Sequence, residues 1–252
     1  MHSYHIIQFE EVTSTNEIAL QAGKTEFASG TVYVAKRQTA GRGRRGRTWE
    51  SSLAQNLYFS LLLCPEVATD KAHMVTIVMA DALAAALQEA TGSEDIFIKW
   101  PNDIVMDGKK VSGILTEMGF REDGSYYVVV GVGVNVGKQQ FADELSQKAT
   151  DLESQCGVVL TKEKLLETVL TQFENRYKKF ETVGDLSFLL PHYNGMLINK
   201  GRSVRVLDPK GEYEGVSAGI NTAGELLVTM SDGSVKNVYA GEVSVRGIYG
   251  YV

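Results

Sequence analysis

Residues 38–49 read QTAGRGRRGRTW, a segment that alternates small flexible residues with cations. Its glycines are Gly41, Gly43 and Gly46, and its arginines are Arg42, Arg44, Arg45 and Arg47. Glycine leaves the backbone free and its N–H groups uncovered, and guanidinium groups make two-point contacts with phosphate and carboxylate oxygens. The segment predicts a flexible loop that becomes ordered around an anion. A solvated basic loop and a nucleic-acid contact are the alternatives.

The overall charge argues against nucleic acid as the partner of this loop. The chain has 252 residues, with 25 Lys and Arg against 31 Asp and Glu, and a net charge of −6. A protein that binds duplexes normally has a basic domain, because affinity comes largely from neutralising phosphates. The loop also lacks aromatic residues on which bases stack. We therefore expect a small anion, or a phosphate held at one point, and no DNA partner.

The sequence also indicates in which cellular compartment the protein works. The N-terminal run MHSYHIIQFEE lacks the basic-then-apolar layout of a signal peptide, and we expect no apolar run of the ~18–20 residues that span a bilayer. The two cysteines, Cys64 and Cys156, are far apart and indicate neither a disulfide framework nor a metal cluster. We expect a cytoplasmic protein without a membrane partner.

The N-terminal part mixes short strands and helices. Residues 5–10 alternate as a short strand does, and residues 13–23 indicate a helix. Ser14 and Glu17 are spaced as a capping box, and Gly23 is placed as the C-terminal stop of that helix.

Three strands and a long helix are predicted before and after the arginine loop. Residues 31–38 and 56–64 are rich in β-branched and apolar residues and predict strands. Residues 71–91 predict a long apolar helix that ends at Gly92. The run DIFIKWPND predicts a strand that stops at Pro101, because proline has no N–H for the ladder.

The sequence then changes character. Residues 109–120 and 125–137 predict an antiparallel pair, and residues 162–181 predict a helix with one buried face. After about residue 195, short strands separated by glycine-bearing turns predict a small all-β barrel or sandwich. We place a boundary between Leu190 and Lys200, with one domain over 1–192 and a second over 198–252.

Three more segments contain candidate functional groups. Lys99, in KWPND, lies at a strand end beside rigid neighbours and suits a fixed positive charge; an ordinary surface lysine is the alternative. The alternating glycines of GVGVNV, residues 131–136, indicate close approach of a ligand or another backbone, with Asn135 next to it; a bulge or tight packing is the alternative. The helix start at residues 14–16, STN, suits an anion, although capping alone explains it.

The order of these motifs is more specific than any one of them. STN, QTAGRGRRGRTW, KWPND, KKVSGIL and GVGVNV follow one another as in the catalytic domain of biotin–protein ligases, which the chain resembles over roughly residues 8–190. The resemblance implies an α+β fold, with a mixed-sheet catalytic domain of the biotin/lipoate ligase type and then a small SH3-like β-barrel domain. One departure follows the loop, where WESSLA replaces the Trp-x-Ser-Pro-x-Gly of many relatives.

The resemblance also implies an activity. Such enzymes join biotin to ATP, release pyrophosphate, and pass biotin from biotinyl-5′-AMP to one lysine of a biotin carboxyl carrier protein. Mg²⁺ is expected with ATP, but no residue identifies itself as its ligand. A homodimer is possible, because related ligases often dimerise. Lipoate– or octanoate–protein ligases of the same fold are the alternative. Some members also have an N-terminal DNA-binding module; none fits before Ser14, so we expect no repressor function.

The resemblance implies roles for particular residues. Lys99 and Arg44 are expected in catalysis. The residues expected at the biotin site are Ser14, Thr15, Asn16, Gln38, Gly41, Arg42, Gly43, Arg44, Lys99 and Gly113. Those expected at the ATP or adenylate are Arg42, Arg44, Arg47, Trp49, Asn102 and Asn135.

Overall fold

The computed structural model describes residues 4–25, 29–240 and 244–247, which form two β-sheets and six α-helices. The strands of the first sheet are β1 (His5–Val12), β2 (Thr31–Gln38), β3 (Leu57–Leu63), β4 (Ile96–Lys99), β5 (Asp103–Met106), β6 (Lys109–Phe120) and β7 (Tyr126–Val134). Those of the second are β8 (Ser203–Leu207), β9 (Tyr213–Ile220), β10 (Leu226–Thr229), β11 (Val235–Val238) and β12 (Ser244–Gly247). The helices are α1 (Thr15–Thr25), α2 (Met74–Thr91), α3 (Asp143–Ser146), α4 (Leu152–Cys156), α5 (Lys162–Val183) and α6 (Leu190–Met196).

The first sheet is mixed and has helices on both faces. Its strand order is β1-β2-β3-β7-β6-β5-β4, with β1 parallel to β2 and the other neighbours antiparallel. On one face α1 packs over a small cluster that includes Ala19, Leu62 and Val129. Helix α2 contacts β4 to β7 as well as α5, which places the main core on the other face. The mixed α+β sheet predicted from the sequence is confirmed.

Helix α2 contradicts the expectation that the chain has no apolar segment long enough to span a bilayer. The helical stretch Thr69–Thr91 is 23 residues long and apolar enough to cross a membrane by length and composition, and 67% of its apolar window is buried inside the fold. A helix that is apolar around its circumference is the expected central helix of a large core. Because α2 packs against both the sheet and α5, we interpret it as a core helix.

The structure gives the glycine in α1 a different role from the one predicted. The helix continues past Gly23 to Thr25, so Gly23 does not end it. A Cβ at Gly23 would lie 2.4 Å from the ring of Tyr127. Glycine is therefore required here for close packing of α1 on β7. The Glu17 carboxylate, predicted to pair with Ser14, accepts a 2.8 Å hydrogen bond from the Thr13 hydroxyl.

The C-terminal part forms the second, antiparallel sheet, with strand order β11-β10-β9-β8-β12. It joins the first part through α6, which contacts both β4 and β9. The indole N–H of Trp100, just after β4, donates a 3.0 Å hydrogen bond to the Gly224 carbonyl. The tail therefore packs beside the strand end that bears Lys99. The domain limits at 192 and 198 stay predictions.

Candidate active site

The arginine-rich segment folds back on itself as a narrow ribbon. The Gly43 N–H donates to the Arg47 carbonyl (2.7 Å), and the Trp49 N–H donates to the Gly41 carbonyl (2.9 Å). At the tip, Arg45 has a φ of 59°, in the left-handed region that non-glycine residues rarely adopt. Gly46 follows with a φ of 70°, which glycine adopts without strain, so the loop makes a tight return.

Two of the loop arginines are held by groups outside the loop. Arg42 forms a 2.9 Å ion pair with Glu117 on β6. Arg44 donates a 2.9 Å hydrogen bond to the Asn102 side chain and a second one to the Ala240 carbonyl of the C-terminal part. Burial lowers the pKa of Arg44. The loop is therefore fastened to β6, to the turn after β4 and to the second domain.

Beneath the loop lies a small polar cavity of about 50 Å³, which we call the inner pocket. Its floor is a hydrogen-bond network of buried and half-buried side chains. The Ser60 hydroxyl lies 2.7 Å from Thr15 Oγ1 and 2.6 Å from Asn16 Oδ1. The Thr15 N–H donates to Gln38 Oε1 (2.8 Å), and Asn16 Nδ2 donates to Glu117 Oε2 (2.9 Å). Because buried polar groups cost free energy unless paired, this network fixes the floor.

The alternating glycines of β7 make room for this site. A Cβ at Gly131 would lie 1.9 Å from Asn16 Oδ1, and one at Gly133 would lie 2.4 Å from the Trp49 indole nitrogen. The close approach predicted from GVGVNV is therefore made by protein side chains. The buried Trp49 Nε1 has no hydrogen-bond partner in the described part of the chain, which makes it a donor available to a ligand.

Lys99 lies at the end of β4, only 5% exposed. It faces a neighbouring space of about 120 Å³, the cationic cavity, whose walls also include Arg47, Asp103, Lys110 and Arg246. Burial lowers the pKa of Lys99 to about 7; the charge of Asp103 opposes this, and the surrounding cations reinforce it. Asp103 itself forms a 2.5 Å ion pair with Lys110. An anion entering this cavity would stabilise the protonated lysine.

A larger outer cavity of about 580 Å³ adjoins the cationic cavity and falls within the usual range of ligand pockets, ~300–1,000 Å³. Trp49 and Asn135 are among its walls. The ammonium of Lys110 lies 5.1 Å from the centre of the Trp49 ring. The Asn135 amide donates a 3.0 Å hydrogen bond to the Thr150 carbonyl, which fixes its orientation.

The described residues contain no group of three or more His, Cys, Asp or Glu side chains that would hold a metal ion by themselves. Asp103 and Glu50 are the carboxylates that line the outer cavity. Mg²⁺ bound with nucleotide phosphates needs only one or two protein carboxylates. The donor set therefore fits a metal ion that is held mainly by phosphate oxygens.

Comparison with known proteins decides the family. The profile of the biotin/lipoate A/B protein ligase family matches residues 8–135, and that of the biotin protein ligase C-terminal domain matches residues 201–246. The chain belongs to the biotin protein ligase family. It is 34% identical to the bifunctional ligase/repressor BirA of Bacillus subtilis, over 96% of this chain and 74% of that protein.

Two other relatives agree with this assignment. A biotin–[acetyl-CoA-carboxylase] ligase of Paracoccus denitrificans is 33% identical over 85% of this chain and 90% of its own length. The biotin protein ligase of Aquifex aeolicus, in complex with biotin and ATP, superposes with a TM-score of 0.84 at 31% identity, covering 96% of this chain and 99% of that one. The chain is thus a biotin protein ligase with the SH3-like C-terminal domain predicted from its sequence.

The ligase brings nearly all of its predicted site residues together. The inner pocket is lined by Ser14, Thr15, Asn16, Gln38, Arg42, Gly43, Arg44, Trp49, Asn102 and Gly113. Lys99 and Arg47 line the adjoining cationic cavity, and Asn135 lines the outer cavity. Gly41 is buried beside them, where a Cβ would lie 2.3 Å from the Trp49 carbonyl oxygen. The individual roles of these residues stay predictions.

Several contributors were not predicted from the sequence. Ser60 and Glu117 hold the floor, and Lys110 and Arg246 add charge to the cationic cavity. Ser51 fixes the loop exit in WESSLA, because its hydroxyl donates to the Trp49 carbonyl and accepts from Gln38, both at 3.0 Å. Each lies in an ordinary strand or loop context. Only the KKVSGIL motif, which contains Lys110, gave a sequence signal.

Proposed function

We propose that this ligase activates biotin with ATP to biotinyl-5′-AMP and then transfers biotin to a specific lysine of a biotin carboxyl carrier protein. The observation that carries the proposal is that a buried lysine and several arginines line one cavity beside a polar pocket. Lys99, Arg47 and Arg246 face one cavity, and that cavity shares Arg44 and Trp49 with the inner pocket.

The first step joins two anions. A carboxylate oxygen of biotin attacks the α-phosphorus of ATP, the bond from that phosphorus to the bridging oxygen breaks, and pyrophosphate leaves. Without neutralisation the two anions repel each other. Positive charge held in place where negative charge develops accelerates such reactions. Lys99 supplies that charge from the end of β4, and burial makes its interaction with the reacting oxygens stronger than it would be in water.

The floor of the inner pocket supplies binding and orientation. The ureido group of biotin has one carbonyl and two N–H groups, so it needs both donors and acceptors. Ser14, Asn16 and Gln38 line the pocket and offer both kinds. Because Asn16 and Gln38 are themselves hydrogen-bonded, their orientations are set before the ligand arrives. Such preorganisation holds the two reactants in reacting geometry.

The second step consumes the adenylate. The ε-amino nitrogen of the acceptor lysine attacks the acyl carbon, the carbon–oxygen bond to AMP breaks, and the nitrogen loses a proton. Until the acceptor arrives, the mixed anhydride needs protection from water. The arginine loop, fastened through Arg42 and Arg44, would cover it, as lid loops do over reactive intermediates. The outer cavity, with Trp49 and Asn135 in its walls, suits the nucleotide.

Mg²⁺ is part of the proposal and enters with ATP. Asp103 and Glu50 would supply its protein oxygens, and the phosphates of ATP the others. The ion would neutralise phosphate charge. Asp103 would then share its charge between the ion and its partner Lys110.

The experiment that tests the proposal is biotin-dependent exchange of labelled pyrophosphate into ATP, followed by transfer of labelled biotin to a carrier domain of acetyl-CoA carboxylase. We expect both activities with biotin and neither with lipoate or octanoate. Exchange supported by lipoate or octanoate in place of biotin would favour the other branch of the family. Absence of exchange with all three acids contradicts the proposal.

Three further expectations stay predictions. A gel-shift assay with a biotin-operon promoter and biotinyl-AMP should give no specific band if the chain is not a repressor. Fractionation of the source cells should place the protein in the cytoplasm. Sedimentation velocity with and without biotinyl-AMP would detect a homodimer.

A further inference from the structure

A buried carboxylate interrupts the apolar surface of helix α2. Asp81 is only 1% exposed, and each of its oxygens has a partner on another helix. Oδ2 accepts a 2.7 Å hydrogen bond from Arg176 Nε on α5, and Oδ1 lies 2.7 Å from His192 Nδ1 on α6. Because an ionised carboxylate only accepts hydrogen bonds, the imidazole nitrogen is the donor. We call these three side chains the helix clamp, since they join α2, α5 and α6.

Neither ligand binding nor stability accounts for the helix clamp. None of its three residues lines the inner pocket, the cationic cavity or the outer cavity. Replacing a buried ion pair by apolar side chains of similar size is often neutral or stabilising. Hydrogen bonds to a carboxylate differ from apolar contacts in fixing both distance and direction. The clamp is therefore suited to hold a helix at one position.

Helix α6 transmits that position to the strand that bears Lys99. Just after α6, the Ile198 N–H donates a 3.0 Å hydrogen bond to the Ile98 carbonyl, and Leu197 forms a parallel bridge with Ile98. Strand β4 has only four residues and, among the strands of the described residues, pairs with β5 alone. The segment after α6 therefore supports the outer edge of β4, one residue before Lys99.

The opposite face of α6 holds the C-terminal domain. The Asn194 side chain accepts a 2.8 Å hydrogen bond from the Ile220 N–H of β9 and donates a 3.3 Å one to the Ile220 carbonyl. His192 and Asn194 are separated by about 200° around the helix, so they lie on nearly opposite faces. Strand pairing leads from β9 through β8 to β12, which bears Arg246. Helix α6 thus connects the supports of Lys99 and Arg246, two cations of the cationic cavity.

From these contacts we propose that Asp81 is a positioning residue for adenylate formation. Through His192 it fixes α6, and α6 brings Lys99 of the catalytic domain and Arg246 of the C-terminal domain to one cavity. The inference rests on the proposed first step, in which these cations neutralise the phosphates of ATP. Preorganised charge acts only where its members converge, and a misplacement of about 1 Å can cost about a hundredfold in rate.

The test removes the link to α6 in the full-length ligase and leaves the ion pair between Asp81 and Arg176 in place. His192→Ala should lower kcat for biotin-dependent pyrophosphate release about tenfold and weaken the binding of inorganic pyrophosphate, measured by calorimetry, about fivefold or more. KM for biotin should stay within about twofold, because other elements build the floor of the inner pocket. His192→Asn retains an amide donor close to the place of Nδ1 and should restore both values.

Two further variants separate positioning from stability. His5→Ala is the matched control, because His5 is an exposed histidine on β1; it should change none of these values. Asp81→Leu, Arg176→Leu and His192→Leu, combined in one chain, replace the helix clamp by apolar side chains. This triple variant should unfold at no lower temperature than the unaltered protein and still show the defect of His192→Ala.

The inference is overturned if His192→Ala binds pyrophosphate as tightly as the unaltered protein, or if His192→Asn is as impaired as His192→Ala. It is also overturned if the binding of biotin and of pyrophosphate weakens in parallel, which would make the role of the helix clamp merely structural. Pyrophosphate binding is measured without turnover. Failure of the proposed function would therefore be distinct, since the unaltered protein would bind pyrophosphate and release none from ATP with biotin.

Discussion

The floor of the inner pocket and the arginine loop above it are built in opposite ways. The floor consists of buried and half-buried side chains from α1, β2, β3 and β6 that are hydrogen-bonded to one another, such as Ser60 to Asn16. The loop is held by a few side-chain contacts, and Arg45 at its tip is exposed with a positive φ. Groups on rigid elements keep a reacting geometry, whereas a segment with few contacts opens and closes. We infer that the rigid region makes the adenylate and that the loop retains it.

The largest effect is expected at Lys99, which strand β4 holds in the cationic cavity beside the rigid floor. Lys99→Ala removes the buried charge at the reacting oxygens and should slow biotin-dependent pyrophosphate release about 10²–10³-fold, the usual cost of removing one preorganised electrostatic group. Lys24→Ala, at the exposed end of α1, is the control and should have no effect. A Lys99→Ala rate within threefold of the unaltered enzyme would place the charge of the first step elsewhere.

A smaller effect should follow from disturbing the floor without removing a functional group. Gly131→Ala places a Cβ 1.9 Å from Asn16 Oδ1, so Asn16 must move. We expect KM for biotin to rise roughly tenfold or more, and the free energy of unfolding to fall by about 1–3 kcal/mol, as for an overpacked core. Gly195→Ala is the control, because nothing lies within 4 Å of its added Cβ. Unchanged KM values for Gly131→Ala would show that Asn16 does not bind biotin.

A substitution in the loop should change the dissociation rate of biotinyl-AMP and not the rate at which it forms. Arg44→Gly removes the hydrogen bonds to Asn102 and Ala240, and charge-assisted hydrogen bonds contribute about 1.5–3 kcal/mol each. The dissociation rate of biotinyl-AMP should therefore rise about 10- to 100-fold while pyrophosphate release continues. Arg45→Gly removes the same charge from the neighbouring, exposed residue and relieves its positive φ. Stopped-flow measurements on both variants should show the increase for Arg44→Gly only; equal increases would mean that loop charge alone matters.

The smallest expected effect is the uptake of a proton by Lys99 when ATP binds. Burial lowers the pKa of Lys99 to about 7, so the side chain is mostly neutral at pH 8 and mostly charged at pH 6. Bound ATP is an anion beside Lys99 and raises the pKa of this lysine. ATP binding therefore takes up a proton when Lys99 is neutral in the free enzyme. Calorimetry of ATP binding in buffers with different ionisation enthalpies should show uptake approaching one proton at pH 8 and much less at pH 6. Lys99→Met should abolish the difference. Equal uptake at both pH values contradicts this role of Lys99.

How far the sequence predicts the structure differs between the same two regions. Periodicity and turn residues predict the separate strands of the first part, α5 and the all-β tail, because these depend on local pattern, whereas the mixed sheet follows from the resemblance to the family. The motif order predicts the members of the inner pocket. Ser60 and Glu117 escape prediction, because their contacts to Asn16 join residues 44 and 101 positions apart. The prediction that Gly23 ends α1 is wrong for a similar reason, because the ring of Tyr127, against which Gly23 packs, belongs to a strand distant in sequence.

The central claim is that making the adenylate and keeping it belong to different regions of the site. The most direct measurement is the ratio of biotin label on a bystander protein to pyrophosphate released, compared across Arg44→Gly, Arg45→Gly and Lys99→Ala. We predict that Arg44→Gly raises this ratio at least tenfold, that Arg45→Gly leaves it near the unaltered value, and that Lys99→Ala lowers pyrophosphate release without raising the ratio. Loss of pyrophosphate release in Arg44→Gly, with no bystander labelling, would show that the arginine acts in the chemical step and would contradict this division.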